Sequence, residues 1–225
     1  MIDVIPGILE KEWEMIEERI RLVAGLADWV QIDFADNTMV PNTTFLDFSR
    51  FSLLPQFPQP ARHPYAQALA GGSPQLEAHL MVANPEKYIK AAADAGFKRL
   101  IAHVEAHDPR IFLDAVTYEH AEVGIAVDGP TEFELVEPFL EEVDVVLVMT
   151  SEAGFSTGTF LPECIEKIKS IHTYLPDLPI EVSGGITDKT ARLVKEAGAT
   201  RLVSSSYLFR DPAAIAAAIQ RLKTA

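Results

Sequence analysis

Eight short runs rich in β-branched residues recur along the chain, each separated from the next by a stretch of helical length. They cover residues 3–8, 29–33, 76–81, 99–104, 122–127, 143–149, 180–183 and 201–204. Strands spaced this way point to parallel βαβ units. The intervening stretches carry helix signals. Residues 11–26 place Trp13, Ile16, Ile20 and Val23 on one face. Asn84-Pro85 reads as a cap with Pro at the first helical position, before a helix over 86–95 that Gly96 stops. Residues 188–197 end at Gly198 in the same way, and Asp211-Pro212 opens a last helix to about Lys223. The phrases AAADAGFKRLIAHV and RLVKEAGATRLVSS repeat one grammar of helix, Ala-Gly, turn and strand.

Eight such units closing on themselves make a (β/α)8 TIM barrel, and 225 residues suit one such domain spanning 1–225. The other candidate is an open doubly wound sheet, but no G-x-G-x-x-G turn follows the first strand. One segment breaks the rhythm. Residues 34–75 hold six prolines (41, 55, 58, 60, 64 and 74) and the pair Gly71-Gly72. That is too long for a simple connection after strand two. It reads either as a lid or subunit contact, or as an excursion without a role.

Charge narrows the partners. With 19 Lys and Arg against 33 Asp and Glu, the net charge is −14, and no basic run suggests nucleic acid. An acidic surface repels phosphate at long range, so a phosphate ligand must be held locally by backbone N–H groups. No apolar run is long enough to span a membrane, and the start MIDVIPGILEK lacks the pattern of a signal peptide. The expected location is the cytoplasm. The one cysteine, Cys164, lies in a helical pattern and reads as a half-buried apolar residue.

In a TIM barrel the chemistry sits at the C-terminal ends of the strands. There the sequence sets Asp33 and Asp36 after strand two, His79 and Met81 on three, His103 and Glu105 on four, Asp128 on five and Met149 on six. The loop after strand six, TSEAGFSTGTF, offers Gly154, Phe155, Ser156, Thr157 and Gly158. Strand seven ends in Ser183-Gly184-Gly185, and strand eight in Ser204-Ser205-Ser206. Three consecutive loops of small residues suit an anion wrapped by backbone amides. Asp36 fits loop bracing as well as function. His63, His107, His120 and His172 read as surface or loop residues, and the carboxylates of 132–142 as a solvated helix face.

The motifs IPGIL (5–9), ADWVQID (27–33), MVPN (39–42), HLMVANP (79–85), AHVEA (102–106), DVVLVMT (144–150), AGFSTGTF (153–160), VSGGI (182–186) and VSSSYLF (203–209) together resemble the ribulose-phosphate 3-epimerase family almost end to end. The resemblance implies a TIM barrel that binds a phosphorylated ketopentose and moves a proton beside its carbonyl. It implies two aspartates as acid and base, and a divalent metal, often zinc, on two histidines and those aspartates. It also implies a homo-oligomer. Matched position by position, the strand-two aspartate is Asp33 and the strand-three histidine is His79, which are therefore the catalytic and metal-ligating candidates. The other two positions hold Gln31 and Ser183, and Glu10 stands where the family usually has serine. Gln and Ser are neutral, poor zinc ligands. His103, Glu105 and Glu10 are the residues open to recruitment. A related barrel family of decarboxylases and hexulose-phosphate synthases uses D-x-K-x-x-D after a strand; here only Asp36 matches, and the lysine is missing.

These residues lead to a diverged sugar-phosphate enzyme without an obligatory cofactor, with Asp33 and His79 doing one-base chemistry. A non-catalytic sugar-phosphate-binding or assembly protein is the alternative, and an epimerase with a rebuilt metal site the third.

Overall fold

The computed structural model describes residues 2–54, 74–106, 108–155 and 158–225. Eight parallel strands close into a barrel in sequence order, β1 pairing with both β2 and β8. They are β1 (Asp3–Ile8), β2 (Trp29–Ala35), β3 (Gln75–Met81), β4 (Arg99–His103), β5 (Glu122–Val127), β6 (Val145–Met149), β7 (Ile180–Ser183) and β8 (Arg201–Ser204). All eight sequence runs are strands, with ends shifted by up to two residues. The helices are α1 (Trp13–Val23), α2 (Glu86–Asp94), α3 (Pro109–Tyr118), α4 (Phe133–Val136), α5 (Cys164–Tyr174), α6 (Asp188–Glu196), α7 (Ser206–Phe209) and α8 (Ile215–Thr224).

Alternation along each strand sorts the core into two compartments. Val30, Ile32 and Phe34 of β2 join Ile16, Ile20 and Val23 of α1 in the layer between sheet and helices. Residues of the opposite parity fill the barrel interior, among them Ile5, Ile101, Val145, Leu147 and Val203. Gly124 belongs to that filling. A Cβ there would stand 2.7 Å from Ile101 and 2.8 Å from Val145.

The cap signals hold with small shifts. Helix α2 starts one residue later than Asn84-Pro85 suggests: Pro85 is the cap residue, and the Asn84 carbonyl accepts from the Lys87 N–H. Gly96 and Gly198 follow their helices with φ of 93° and 118°. The Asp211 carboxylate accepts from the Ala213 N–H and opens a 3-10 turn, Pro212–Ala214, that leads into α8. Cys164 is fully rather than half buried, with Sγ 3.4 Å from the Met149 carbonyl, because the first turn of α5 lies on β6.

The start of the long segment after β2 is anchored. Phe48 stacks on Phe34 at 4.2 Å, and Phe51 meets Trp13 edge-on at 5.1 Å. The Asp36 carboxylate accepts from Thr38 and from the Tyr88 hydroxyl. Burial opposes its charge, yet these bonds hold it below the usual carboxylate range. Tyr88 in turn is pushed up to about 12 by burial and by Asp36. Asp36 therefore braces the loop against α2. Four of the six prolines, and the Gly71-Gly72 pair, lie outside the described residues. Among the described residues no helix is long and apolar enough to cross a membrane.

Candidate functional site

At the C-terminal mouth of the barrel lies a pocket of about 500 Å³, open solvent at its mouth included. Asp33 and His79 line one side, and Gly154, Phe155, Ser183, Gly184, Gly185, Ser205 and Ser206 line the rest. Thus most of the expected site residues share one space. Gly158 does not line it; it packs on Ser151, where a Cβ would come within 2.5 Å of the hydroxyl. Ser156 and Thr157, also expected here, lie outside the described residues.

The glycines after β7 are there for close approach. At Gly184, with φ of 112°, a Cβ would fall 2.3 Å from Ser151 Oγ and 2.6 Å from its backbone nitrogen. At Gly185, with φ of 65°, it would fall 2.8 Å from the Phe160 nitrogen. The Thr150 hydroxyl donates to the Gly184 carbonyl at 2.6 Å, locking this loop to the one after β6. Across the mouth, the Asn42 amide donates to the Gly154 carbonyl at 2.8 Å, and Val40 fills the space where a Gly154 side chain would go. The Ser205 hydroxyl is buried without a partner among the described residues. A buried orphan donor of this kind calls for an explanation, and Ser205 belongs to the pocket wall.

On the opposite wall the polar side chains form a line. Gln31, on β2 in the barrel interior, donates from Nε2 to Asp33 Oδ1 at 2.7 Å. His79 Nδ1 meets the same oxygen at 2.9 Å. His79 Nε2 lies 2.9 Å from His103 Nε2, and His103 Nδ1 lies 3.1 Å from Glu105 Oε2. Both histidines are 1% exposed, whereas the side chains of the end carboxylates, Asp33 and Glu105, are 13% and 22% exposed. Parallel pairing of β2 with β3 sets Asp33 beside His79. Burial pushes the His103 imidazolium down, against the pull of Glu105. Burial also works against the Glu105 carboxylate, but His103, Thr131 and the Asp128 N–H hold it at about 2. Glu105 Oε1 accepts from that N–H at 2.8 Å, and the buried Lys167 amine braces the same turn through the Asp128 and Gly129 carbonyls.

The donors at the four matched positions do not fit zinc. Gln31 and Ser183 bring no charge, and Gln31 turns an N–H toward Asp33. His79 has both ring nitrogens engaged. Glu10, a possible recruit, is ion-paired with Arg19 instead. Among the described residues no group of three or more His, Cys, Asp or Glu is placed to hold a metal ion.

Several pocket residues figured in the sequence only as members of the motifs that carry the family resemblance. Gly7, Leu9, Ile186 and Val203 line the pocket as well. A glycine inside a strand is a signal of close approach, and at Gly7 a Cβ would meet Val203 at 2.8 Å. The apolar residues had no distinguishing feature. His103 and Glu105 stood out as strand-end residues, but their connection to His79 depends on ring orientation, which spacing does not encode.

Comparison with known proteins agrees with this architecture. The model of the "Ribulose-phosphate 3 epimerase family" matches residues 3–209. The ribulose-phosphate 3-epimerase of Schizosaccharomyces pombe is 32% identical, over 92% of this chain and 86% of that protein. That of Bacillus subtilis is 32% identical, over 93% of each. Among solved structures, a ligand complex of KGPDC from Streptococcus mutans superposes with a TM-score of 0.73 at 13% identity, covering 99% of this chain and 98% of that one. A 3-hexulose-6-phosphate synthase superposes with a TM-score of 0.67 at 17% identity, covering 100% and 99%. At those identities the structures speak for the fold alone. The match to the family model over nearly the whole barrel goes further: this chain belongs to the ribulose-phosphate 3-epimerase family.

Proposed function

We propose that this protein binds a phosphorylated ketose in the barrel mouth and moves a proton beside its carbonyl from one face only. The observation that carries the reading is the pocket itself: Asp33 and the small-residue loops after β6, β7 and β8 line the same space. A phosphate held by the backbone of Gly184-Gly185 and by Ser205 and Ser206 leaves the sugar's carbonyl end to reach toward Asp33. Relatives named for ribulose phosphate support a phosphorylated ketose as the ligand class.

Asp33 is the base. Its Oδ1 accepts from Gln31 and lies against His79 Nδ1, so Oδ2 is the oxygen available to a substrate proton. Inverting the carbon needs a donor on the other face, and there this chain has Ser183. An alcohol is too weak an acid to return a proton near neutral pH without an activating base. The expected chemistry is therefore one-base isomerisation or exchange rather than the two-carboxylate epimerisation of the family. The missing carboxylate at 183 equally favours a second reading, a sugar-phosphate-binding protein without turnover. In either case the partner is a small molecule, and we expect a cytoplasmic homo-oligomer.

Proton NMR of ribulose 5-phosphate with the protein in deuterium oxide separates these readings. The expected result is loss of the C3 proton signal without xylulose 5-phosphate, and a fall in that exchange of about 100-fold or more in Asp33→Asn. Formation of xylulose 5-phosphate would contradict one-sided chemistry. Thermal stabilisation by the ligand with no exchange would establish the binding protein.

A further inference from the structure

The His79–His103 contact has a consequence for proton number. Ring centroids 5.1 Å apart, planes 25° from parallel and Nε2 atoms 2.9 Å apart place the rings edge to edge through those nitrogens. Two bare lone pairs repel at that distance, so one Nε2 must carry a hydrogen. The line Asp33–His79–His103–Glu105 contains three such links, and each needs a proton. Two neutral imidazoles and two carboxylates bring only two. One more proton therefore resides in the line. With Glu105 ionised and accepting from His103 Nδ1, His103 uses its own proton on Glu105 and offers a lone pair at Nε2. The third proton then belongs to the Asp33–His79 half, with His79 donating from Nε2.

We propose that this hydrogen-bonded line, holding one extra proton, stands where the family resemblance puts a divalent metal, and that His103 and Glu105 are positioning residues that keep His79 in that role. The groups facing the line fit a monovalent charge. Gln31 donates an N–H to Asp33, Asp128 gives Glu105 a backbone N–H, Thr131 adds a hydroxyl, and the Lys167 amine is turned to carbonyls rather than to the line. A dication on Asp33 and His79 would have to displace the Gln31 N–H and find charge at Ser183, which has none. The exposed ends place Asp33 at the pocket and Glu105 at the other end of the line. The proposal concerns the resting protein, so it stands or falls independently of turnover.

The test is two-bond proton–nitrogen NMR on protein with nitrogen-15 histidine, freed of metal and then given one equivalent of zinc or manganese. Expected are His103 as the Nδ1–H tautomer, an exchange-protected downfield proton between the two rings, and no change with either metal. His103→Leu should remove that proton signal. Glu105→Gln should shift it while the melting temperature stays within about 2 °C, a change that a merely structural role would not produce. Stoichiometric metal binding with a shift of the His79 nitrogens would overturn the proposal. So would two rings that exchange freely between tautomers in the wild-type protein. A signal unmoved by Glu105→Gln would remove Glu105 from the positioning role, even if His103→Leu failed to fold.

Discussion

The barrel interior holds two polar clusters, and they are built on opposite plans. At the N-terminal end of the strands Arg99 is 1% exposed, ion-paired with Glu77 and Glu122, 3.9 Å from Glu181, and covers the face of Trp29 at 3.9 Å. A guanidinium fork fills that layer with fixed charge. At the C-terminal end the line from Asp33 to Glu105 has no Arg or Lys in its three links and opens on a pocket. Between them lie apolar side chains such as Ile5, Ile101 and Leu147. In TIM barrels the lower face serves stability and the upper face chemistry, and here the same division is written in the choice of cation: permanent below, protonic above.

Removing the permanent cation should do the greatest damage. Arg99→Met leaves Glu77 buried without its ion-pair partner, a loss on the order of 3–5 kcal/mol. In a chain of this size that lowers the melting temperature on the order of 10 °C. Calorimetry would measure it. A drop no larger than that of a surface substitution would erase the contrast between the two ends.

A middle-sized effect is expected at the top, on binding and not on folding. The Ser205 hydroxyl is a buried orphan among the described residues, so Ser205→Ala should leave stability unchanged or slightly raised. If that hydroxyl waits for a phosphate oxygen, its loss costs about 1.5–3 kcal/mol of binding, at least about tenfold in Kd. Titration of ribulose 5-phosphate by calorimetry, beside a melting curve, reads both. Lost stability with unaltered affinity would make Ser205 a packing residue.

The contrast between the ends was only partly legible in the sequence. The strands were, because buried parallel strands read as apolar runs and glycine marks helix ends. Asp33, His79 and the small-residue loops were, because chemistry at strand ends falls in a known place. The lower cluster was not. Arg99 opens β4 while Glu77 and Glu181 sit inside β3 and β7, and a charged residue in a strand pattern declares nothing about its partners until the barrel closes these strands around it. The upper line was visible as four residues but not as a line, since β3 and β4 bring His79 and His103 together only through ring orientation. Nor does spacing show that Gln31 turns its N–H, rather than its oxygen, toward Asp33; its Oε1 is left without a partner among the described residues, for which packing gives no reason.

The subtlest difference between the clusters lies in how each handles protons. Burial, and then the neighbouring Glu77, push the Glu181 carboxyl well above the usual range. Among the described residues no N–H donor reaches its oxygens, so a proton on Glu181, directed at Glu77, supplies the missing hydrogen bond. Burial raises the Glu77 carboxyl as well, against the pull of Arg99, with which it is ion-paired. A carboxyl held protonated in the folded state contributes stability that is complete below the ordinary carboxylate range. That stability is lost as pH rises toward the folded-state pKa. Glu181→Gln mimics the protonated form, so the two proteins should melt together near about pH 4. The variant should then gain on the wild type with rising pH, by at most about 1.4 kcal/mol per unit. Parallel melting curves across that range would mean that Glu181 is ionised, and that the lower layer leans on its arginines for every charge it holds.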